Sequence, residues 1–169
     1  MSDFKEITAV QLQGNPFHKI GQEWMLVTAE KDGKVNTMTA SWGGLGIMWG
    51  KNVAFTVIRP QRFTKEFIDG ADTFSLSFYD ESFRKVLGYL GSVSGRDEDK
   101  VSKSGFTVEL DNGIPYFKEA STVLLCKKLF AQPFDEKSFV DTEIPGICYP
   151  DKDYHTLYIS EITKVLSRE

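Results

Sequence analysis

Apolar and polar residues fall into short stretches along this chain, most of them with the period of two that marks half-buried strands. Trp24 to Glu30 (WMLVTAE) is apolar and β-prone, and Asp32-Gly33 follows it as a tight-turn signal. From Val35 to Trp42 the pattern alternates, with Met38, Ala40 and Trp42 on one face and Thr37, Thr39 and Ser41 on the other. The two stretches predict a hairpin. Gly43-Gly44-Leu45-Gly46 then interrupts the alternation, which is expected to bend the backbone or admit a close approach. Val53 to Ile58 (VAFTVI) is a β-branched run that predicts a buried strand ending at Arg59-Pro60.

Two helices interrupt the strands. Thr64 to Asp69 predicts a short one, with Thr64 as N-cap, Gly70 at its C-terminal end, and Phe63 and Phe67 four apart on one face. Asp80 is expected to cap a second, whose apolar residues Phe83, Val86, Leu87 and Leu90 keep helical spacing and which Gly91 can stop. Between them Thr73 to Phe78 alternates, placing Phe74, Leu76 and Phe78 in the core; Met25 and Phe55 are assigned to the core as well. After the polar stretch Ser94 to Lys100, a strand is expected over Phe106 to Leu110, a turn at Asp111-Asn112-Gly113, and long strands over Ser121 to Phe130 and His155 to Val165. Six or seven strands with two short helices predict a mainly β fold, a small β-barrel with helical inserts. The long alternating helices of a doubly wound fold are missing.

The 169 residues carry 24 acids against 20 bases, a net charge of −4. That balance argues against a protein that grips a nucleic-acid backbone. No apolar run reaches the length of a membrane span, and the charged start Met1 to Glu6 is not a signal peptide. With no repeat and no linker, a single domain over 1–169 and a cytoplasmic location are expected. Cys126 and Cys148, 22 residues apart, fit a reduced chain better than a ligand pair. His18 and His155 stand alone, so neither a zinc site nor a Cys–His nucleophile is favoured.

Three segments are candidates for chemistry. No G-x-G-x-x-G and no P-loop is present, so the glycines at 43–46 say little about phosphate. Arg59-Pro60-Gln61-Arg62-Phe63-Thr64 puts two guanidiniums and a hydroxyl at a helix start, where free N–H groups and the dipole favour an anion; a solvated loop with an ordinary cap is the plain alternative. Asn36 to Trp42 offers hydroxyls and an indole to a flat polar-aromatic ligand, or is simply a half-exposed strand. Ser94 to Lys100 reads by charge as a solvated loop, although a lysine beside a bound ring would stabilise negative charge on it.

Taken together, Asn36-Thr37-Met38-Thr39-Ala40-Ser41-Trp42, Arg59-x-x-Arg62-x-Thr64 and Ser94-Gly95-Arg96-Asp97-x-Asp99-Lys100 resemble the flavin reductase-like, FMN-binding split-barrel family. The strand His155 to Ile162 is similar to that family's closing strand, and the resemblance runs from about Gly21 to Ile162. It implies a Greek-key split barrel, a homodimer, and noncovalent FMN near the subunit interface. By that analogy Asn36, Met38, Thr39, Ala40, Ser41 and Trp42 contact the isoalloxazine and ribityl chain. Arg59, Arg62 and Thr64 hold the phosphate, while Ser94, Gly95 and Lys100 close over the flavin, with Lys100 as a tuning residue. The implied activity takes hydride from NAD(P)H onto FMN and passes electrons to a flavin, another acceptor or a monooxygenase partner. No side chain need be catalytic, because the flavin carries the chemistry. An FMN electron carrier of the flavoredoxin type and a non-redox β-barrel binding module are the alternatives. No nicotinamide motif is visible. The stretch Gln132 to Asp153, with Pro133, Pro145, Gly146 and Pro150, lacks a family signature and is expected to form a loop or lid that sets substrate choice.

Overall fold

Three two-residue turns fix the register of the strands. Asp32-Gly33, Trp49-Gly50 and Asn112-Gly113 all have positive φ at both positions, the type I′ geometry that suits the twist of a hairpin. They join β2 (Met25–Lys31) to β3 (Lys34–Ala40), β4 (Gly43–Met48) to β5 (Lys51–Ile58), and β7 (Val108–Asp111) to β8 (Ile114–Phe117). The computed structural model describes residues 3–168. Besides these hairpins it contains β1 (Lys5–Ile7), β6 (Thr73–Phe78) and two long strands, β9 (Thr122–Pro133) and β10 (Thr156–Ser167). The helices are α1 (Pro16–His18), α2 (Phe63–Gly70), α3 (Arg84–Ser92), α4 (Lys100–Ser104) and α5 (Ile144–Cys148).

The main sheet is antiparallel, in the order β3-β2-β6-β9-β10-β5-β4. β10 shifts register at Ile159/Ser160 and at Ile162/Lys164, and these irregularities bend it. Its first half pairs with β5 and its last residues with β1. β3 and β4 lie at opposite ends of the sheet, yet only Ser41 and Trp42 separate them in the chain. Two residues can bridge the ends only if the sheet rolls back on itself, and no ladder joins β3 to β4 among the described residues. The result is a mainly β split barrel, as expected.

Strand alternation fills the barrel. Met25, Val27 and Ala29 of β2, Phe74, Leu76 and Phe78 of β6, and Leu124 and Cys126 of β9 point inward with Ile58 and Tyr158. The opposite faces of β2 and β9 are buried too: Leu26, Val123 and Leu125 lie under α3 and the β7–β8 hairpin, against Leu87, Leu90 and Phe117. This double burial explains why β2 reads as a continuous apolar run. Among the described residues no helix is long and apolar enough to cross a membrane.

Several local expectations need correction. Residues 43–46 do not break the sheet but begin β4. Gly43 has φ of 139°, and a Cβ there would stand 2.4 Å from the Phe55 carbonyl oxygen. Phe55 is not a core residue; it is half-buried and its ring lies against Gly44 and Gly46, covering the bare edge strand. The N-cap of α2 is Arg62, with Thr64 inside the first turn. Asp80 opens a short 3-10 turn, Glu81–Phe83, rather than α3 itself, and makes no side-chain cap bond. Gly91 does not stop α3, which continues to Ser92; the glycine allows close approach to Thr39, whose Cβ would be 3.0 Å from an added one. The strand expected over 106–110 is confined to β7. The stretch from 132 to 153 holds the end of β9, a 3-10 turn at Glu136–Ser138 and α5.

Candidate functional site

Ser41 and Trp42, the bridge that closes the barrel, are where three hollows meet. A cleft of about 200 Å³ is lined by Met38, Thr39, Ala40, Ser41, Trp42, Val57, Arg59, Arg62 and His155. A slot of about 280 Å³ shares Thr39, Ala40 and Ser41 with it and runs along α3. A groove of about 380 Å³ continues past Trp42 to Leu45 and Phe17. A larger basin of about 720 Å³, lined by residues of the 18–23 turn, of 79–84, Leu87 and Ser121, shares no residue with the cleft. The cleft collects residues from two of the three candidate segments, and it sits where a barrel is open between β3 and β4.

The third segment packs behind it. Asn36 is on the same face as Met38, buried, and its Nδ2 donates to Thr64 Oγ1 at 2.9 Å. That bond takes the Thr64 hydroxyl into the barrel and explains why it does not cap α2. A Cβ on Gly95 would fall 2.3 Å from Asn36 Oδ1 and 3.1 Å from the Phe63 ring, so only glycine fits there. Arg96 stacks on Phe63, donates to the Gln61 carbonyl at 3.1 Å and pairs with Glu66, holding the 94–99 loop against the start of α2. Ser94 Oγ accepts from the Arg96 N–H, a bond within its own loop.

Two cations at this place have no carboxylate partner among the described residues. Arg62 is half-buried, and its Nη1 donates to the Gly91 carbonyl at 3.1 Å. Burial lowers its pKa. Lys100 is only 3% exposed, and its Nζ donates to the Leu90 and Val93 carbonyls, each at 2.8 Å. Desolvation, and then repulsion from Arg62, lowers its pKa to about 8. Lys100 therefore braces the end of α3 and does not line the cleft. A buried positive spot beside the first turn of α2 suits an anion, because a free guanidinium face and helix N–H groups both point to negative charge.

Arg59 is engaged differently. Its Nη1 meets Asp153 Oδ2 at 2.8 Å, its Nη2 donates to the Cys148 carbonyl at 2.9 Å, and its guanidinium lies over the Tyr149 ring. Gln61 Nε2 also donates to Asp153 Oδ2, at 2.8 Å. The segment after β9 is thus tied down beside the cleft. The Thr39 hydroxyl proton is already committed, since Oγ1 donates to the Leu87 carbonyl at 2.6 Å. Thr37 is turned inward, bonded to Thr28. β3 is nonetheless an edge strand, so one row of its backbone N–H and C=O groups has no ladder partner.

His155 is the cleft residue that sequence reasoning missed. Its ring lies 5.2 Å from that of Trp42, and Nδ1 is 2.7 Å from the Tyr149 hydroxyl. Burial first, and then Arg59, lower its pKa to about 4, so the imidazole is neutral at pH 7. Its isolation in sequence hid it: Trp42 and Arg59 reach it only through the rolled sheet. Among the described residues no cluster of His, Cys, Asp and Glu is arranged to hold a metal ion.

A model of the flavin reductase like domain matches residues 17–169. No curated protein matches the chain. Among solved structures, a flavoredoxin from Methanosarcina acetivorans superposes with a TM-score of 0.68 at 23% identity, covering 86% of this chain and 68% of that one. An FMN-binding protein from Thermus thermophilus with bound 1-cyclohex-2-enone gives 0.69 at 22% identity, covering 96% and 81%. An FMN-binding domain of a flavin reductases-like enzyme from Shewanella baltica gives 0.71 at 18% identity, covering 98% and 77%. At these identities the likenesses establish the fold.

Proposed function

The chain belongs to the flavin reductase like domain family, and on that premise we propose that it is an FMN-dependent oxidoreductase that accepts hydride from NAD(P)H and passes electrons to a flavin or another acceptor. The observation that carries this reading is the uncompensated pair Arg62 and Lys100 beside the first turn of α2. A phosphate there would neutralise two buried charges at once. The residues present fit FMN in three further respects. Gly95 lets the 94–99 loop close directly on Asn36 and Phe63, which fixes Asn36 and the start of α2 where the anion would sit. The edge of β3 offers peptide donors and acceptors of the kind a flavin rim requires. Met38, Val57 and Trp42 supply apolar surface for the ring.

When bound, FMN supplies the two-electron chemistry. The chain's own work is to bind and orient. Arg62, with Lys100 behind it, holds the phosphate end, and Thr64 fixes Asn36 by their shared hydrogen bond. Trp42 and His155 form one wall of the cleft. We place the protein in the cytoplasm as a homodimer with the cleft near the subunit contact. A monooxygenase component is one class of acceptor that would consume its reduced flavin.

The test is direct. Protein loaded with FMN should be yellow, and under anaerobic conditions NADH or NADPH should bleach it within seconds. Bleaching by dithionite but by neither nucleotide would make it an electron carrier. A protein that takes up no FMN would be a binding module for something else.

A further inference from the structure

We infer that Arg59 is a positioning residue: it pins the loop between β9 and β10 beside the cleft, so holds His155 against Trp42, and leaves the phosphate to Arg62. This role differs from the phosphate contact that the family resemblance implies for Arg59, and its flavin arm rests on the reading above.

Residues 134–154 leave the barrel and return to it at one place. Pro133 pairs with Thr156, and the Phe134 N–H donates to the His155 carbonyl at 2.9 Å. Between these ends the loop packs on itself, with the rings of Phe139, Tyr149 and Tyr154 5.0 to 5.9 Å apart. None of its residues belongs to either apolar cluster of the barrel, and Val140 and Ile147 are exposed. Among the described residues, the hydrogen bonds that tie 135–154 to other elements come from Arg59 and Gln61, apart from one between Tyr149 and His155. A segment seated in this way opens at lower cost than the barrel beneath it.

Arg59 is fully committed to the loop. Its Nη1 donates to Asp153 Oδ2, its Nη2 donates to the Cys148 carbonyl, and its guanidinium carbon lies 4.9 Å from the Tyr149 ring centroid. Three groups of the loop thus meet one planar fork, which a lysine could not reproduce. To grip a phosphate with both terminal nitrogens, Arg59 would have to release them. Asp153 would then keep only Gln61, although its Oδ1 is already buried without a partner among the described residues. Stripping a carboxylate in that position is costly. Arg62 faces no such loss, since it has no carboxylate partner among the described residues and donates to the Gly91 carbonyl.

Tyr149 carries the restraint into the cleft. Its hydroxyl lies 2.7 Å from His155 Nδ1, and the His155 ring stands 5.2 Å from Trp42 and 6.4 Å from Phe134. Arg59 and Asp153 are the charged groups that act on the imidazole. Burial first, and then Arg59, lower its pKa to about 4, against a smaller opposing effect of Asp153. Losing Arg59 weakens both of the lowering causes.

The test compares Arg59→Ala, Asp153→Asn and Arg62→Ala in the full chain, by binding of FMN and of riboflavin, which lacks the phosphate. Asp153→Asn breaks the tie but keeps the Arg59 charge, and it serves if Arg59→Ala folds poorly. In both loop variants the affinities for FMN and riboflavin should fall together, with their ratio within about twofold of wild type. Arg62→Ala should lower that ratio by about tenfold or more. Limited proteolysis within 134–154 should quicken in the loop variants and keep the wild-type rate in Arg62→Ala. By NMR, with His18 as the only other histidine, His155 should titrate about one pH unit or more higher in Arg59→Ala. A ratio that collapses in Arg59→Ala, with tighter FMN binding in Asp153→Asn, would make Arg59 a phosphate ligand and overturn the inference. So would a loop cut no faster and a His155 titration unmoved in Arg59→Ala. Wild-type protein that takes up neither flavin would remove the reading above, and proteolysis and titration would then decide the role of Arg59 by themselves.

Discussion

Lys100 is buried with no carboxylate partner among the described residues, and that makes it a reporter for the anion site. In free protein its pKa is lowered to about 8 by burial and by Arg62. In an unfolded chain it would titrate near its ordinary value, so between those limits the unfolded state binds more protons. Stability of the free protein should therefore rise with pH across that window, and the rise should be absent in Lys100→Met. A phosphate beside Arg62 reverses the preference by favouring the ammonium. FMN binding should then take up protons above pH 8, and affinity should fall as pH increases; Lys100→Met should flatten that slope. Arg62→Ala should weaken FMN by roughly 1.5–3 kcal/mol, the value of hydrogen bonds to a charged group. Titrations at pH 7 and 9 read both effects, and a pH-independent affinity in the wild type would contradict the assignment. The sequence displayed Arg59, Arg62 and Lys100 as candidates but not their partners. Arg59 meets Asp153 from 94 positions away, and Lys100 folds back onto α3. Such pairings depend on how distant segments pack, which no local spacing records.

At the level of elements, legibility followed locality. The hairpins at Asp32-Gly33 and Asn112-Gly113 were readable because the turn residues alone select the geometry. The core face of β6 was readable from its alternation. β4 was not, since three glycines in four residues carry no strand signal, and the ring of Phe55 that covers them belongs to the neighbouring strand. Thr64 was misread as a cap because the competing donor, Asn36, comes from another element. The two glycines at the start of β4 should separate sharply on mutation. Gly43→Ala forces a Cβ onto the Phe55 carbonyl at a φ of 139° and should cost roughly 2–4 kcal/mol. Gly44→Ala meets only the edge of the Phe55 ring at 3.8 Å and should change stability by less than about 1 kcal/mol. Urea midpoints of the two variants compare them, and equal losses would mean that the close approach is not what fixes Gly43.

For the whole molecule, rolling the sheet leaves β4 as an outer edge, and that edge is unusual. Gly43 to Trp49 contains no charge and no proline, the two devices that ordinarily blunt an exposed strand. Ile47 is 68% exposed and Trp49 57%, with Phe130 beside it at 6.2 Å between ring centroids. Trp49 also occupies the first position of its turn at φ of 52°, where the other two hairpins use Asp32 and Asn112. A bulky residue there costs roughly 1–2 kcal/mol. The chain thus gives up local stability to display an indole on an unguarded edge, which is what a strand covered by a second copy would show; a two-fold pairing needs only one self-complementary patch. This supports the proposed homodimer and yields a two-sided expectation. Trp49→Asn should raise the unfolding free energy of the monomer by about 1 kcal/mol, because asparagine accepts the left-handed turn. The same change should weaken self-association, read as a rise in the dimer dissociation constant by sedimentation equilibrium. A variant that gained stability but kept its association constant would show that two copies meet through some other face. One that lost both would mean that Trp49 serves the monomer, through its contact with Phe130.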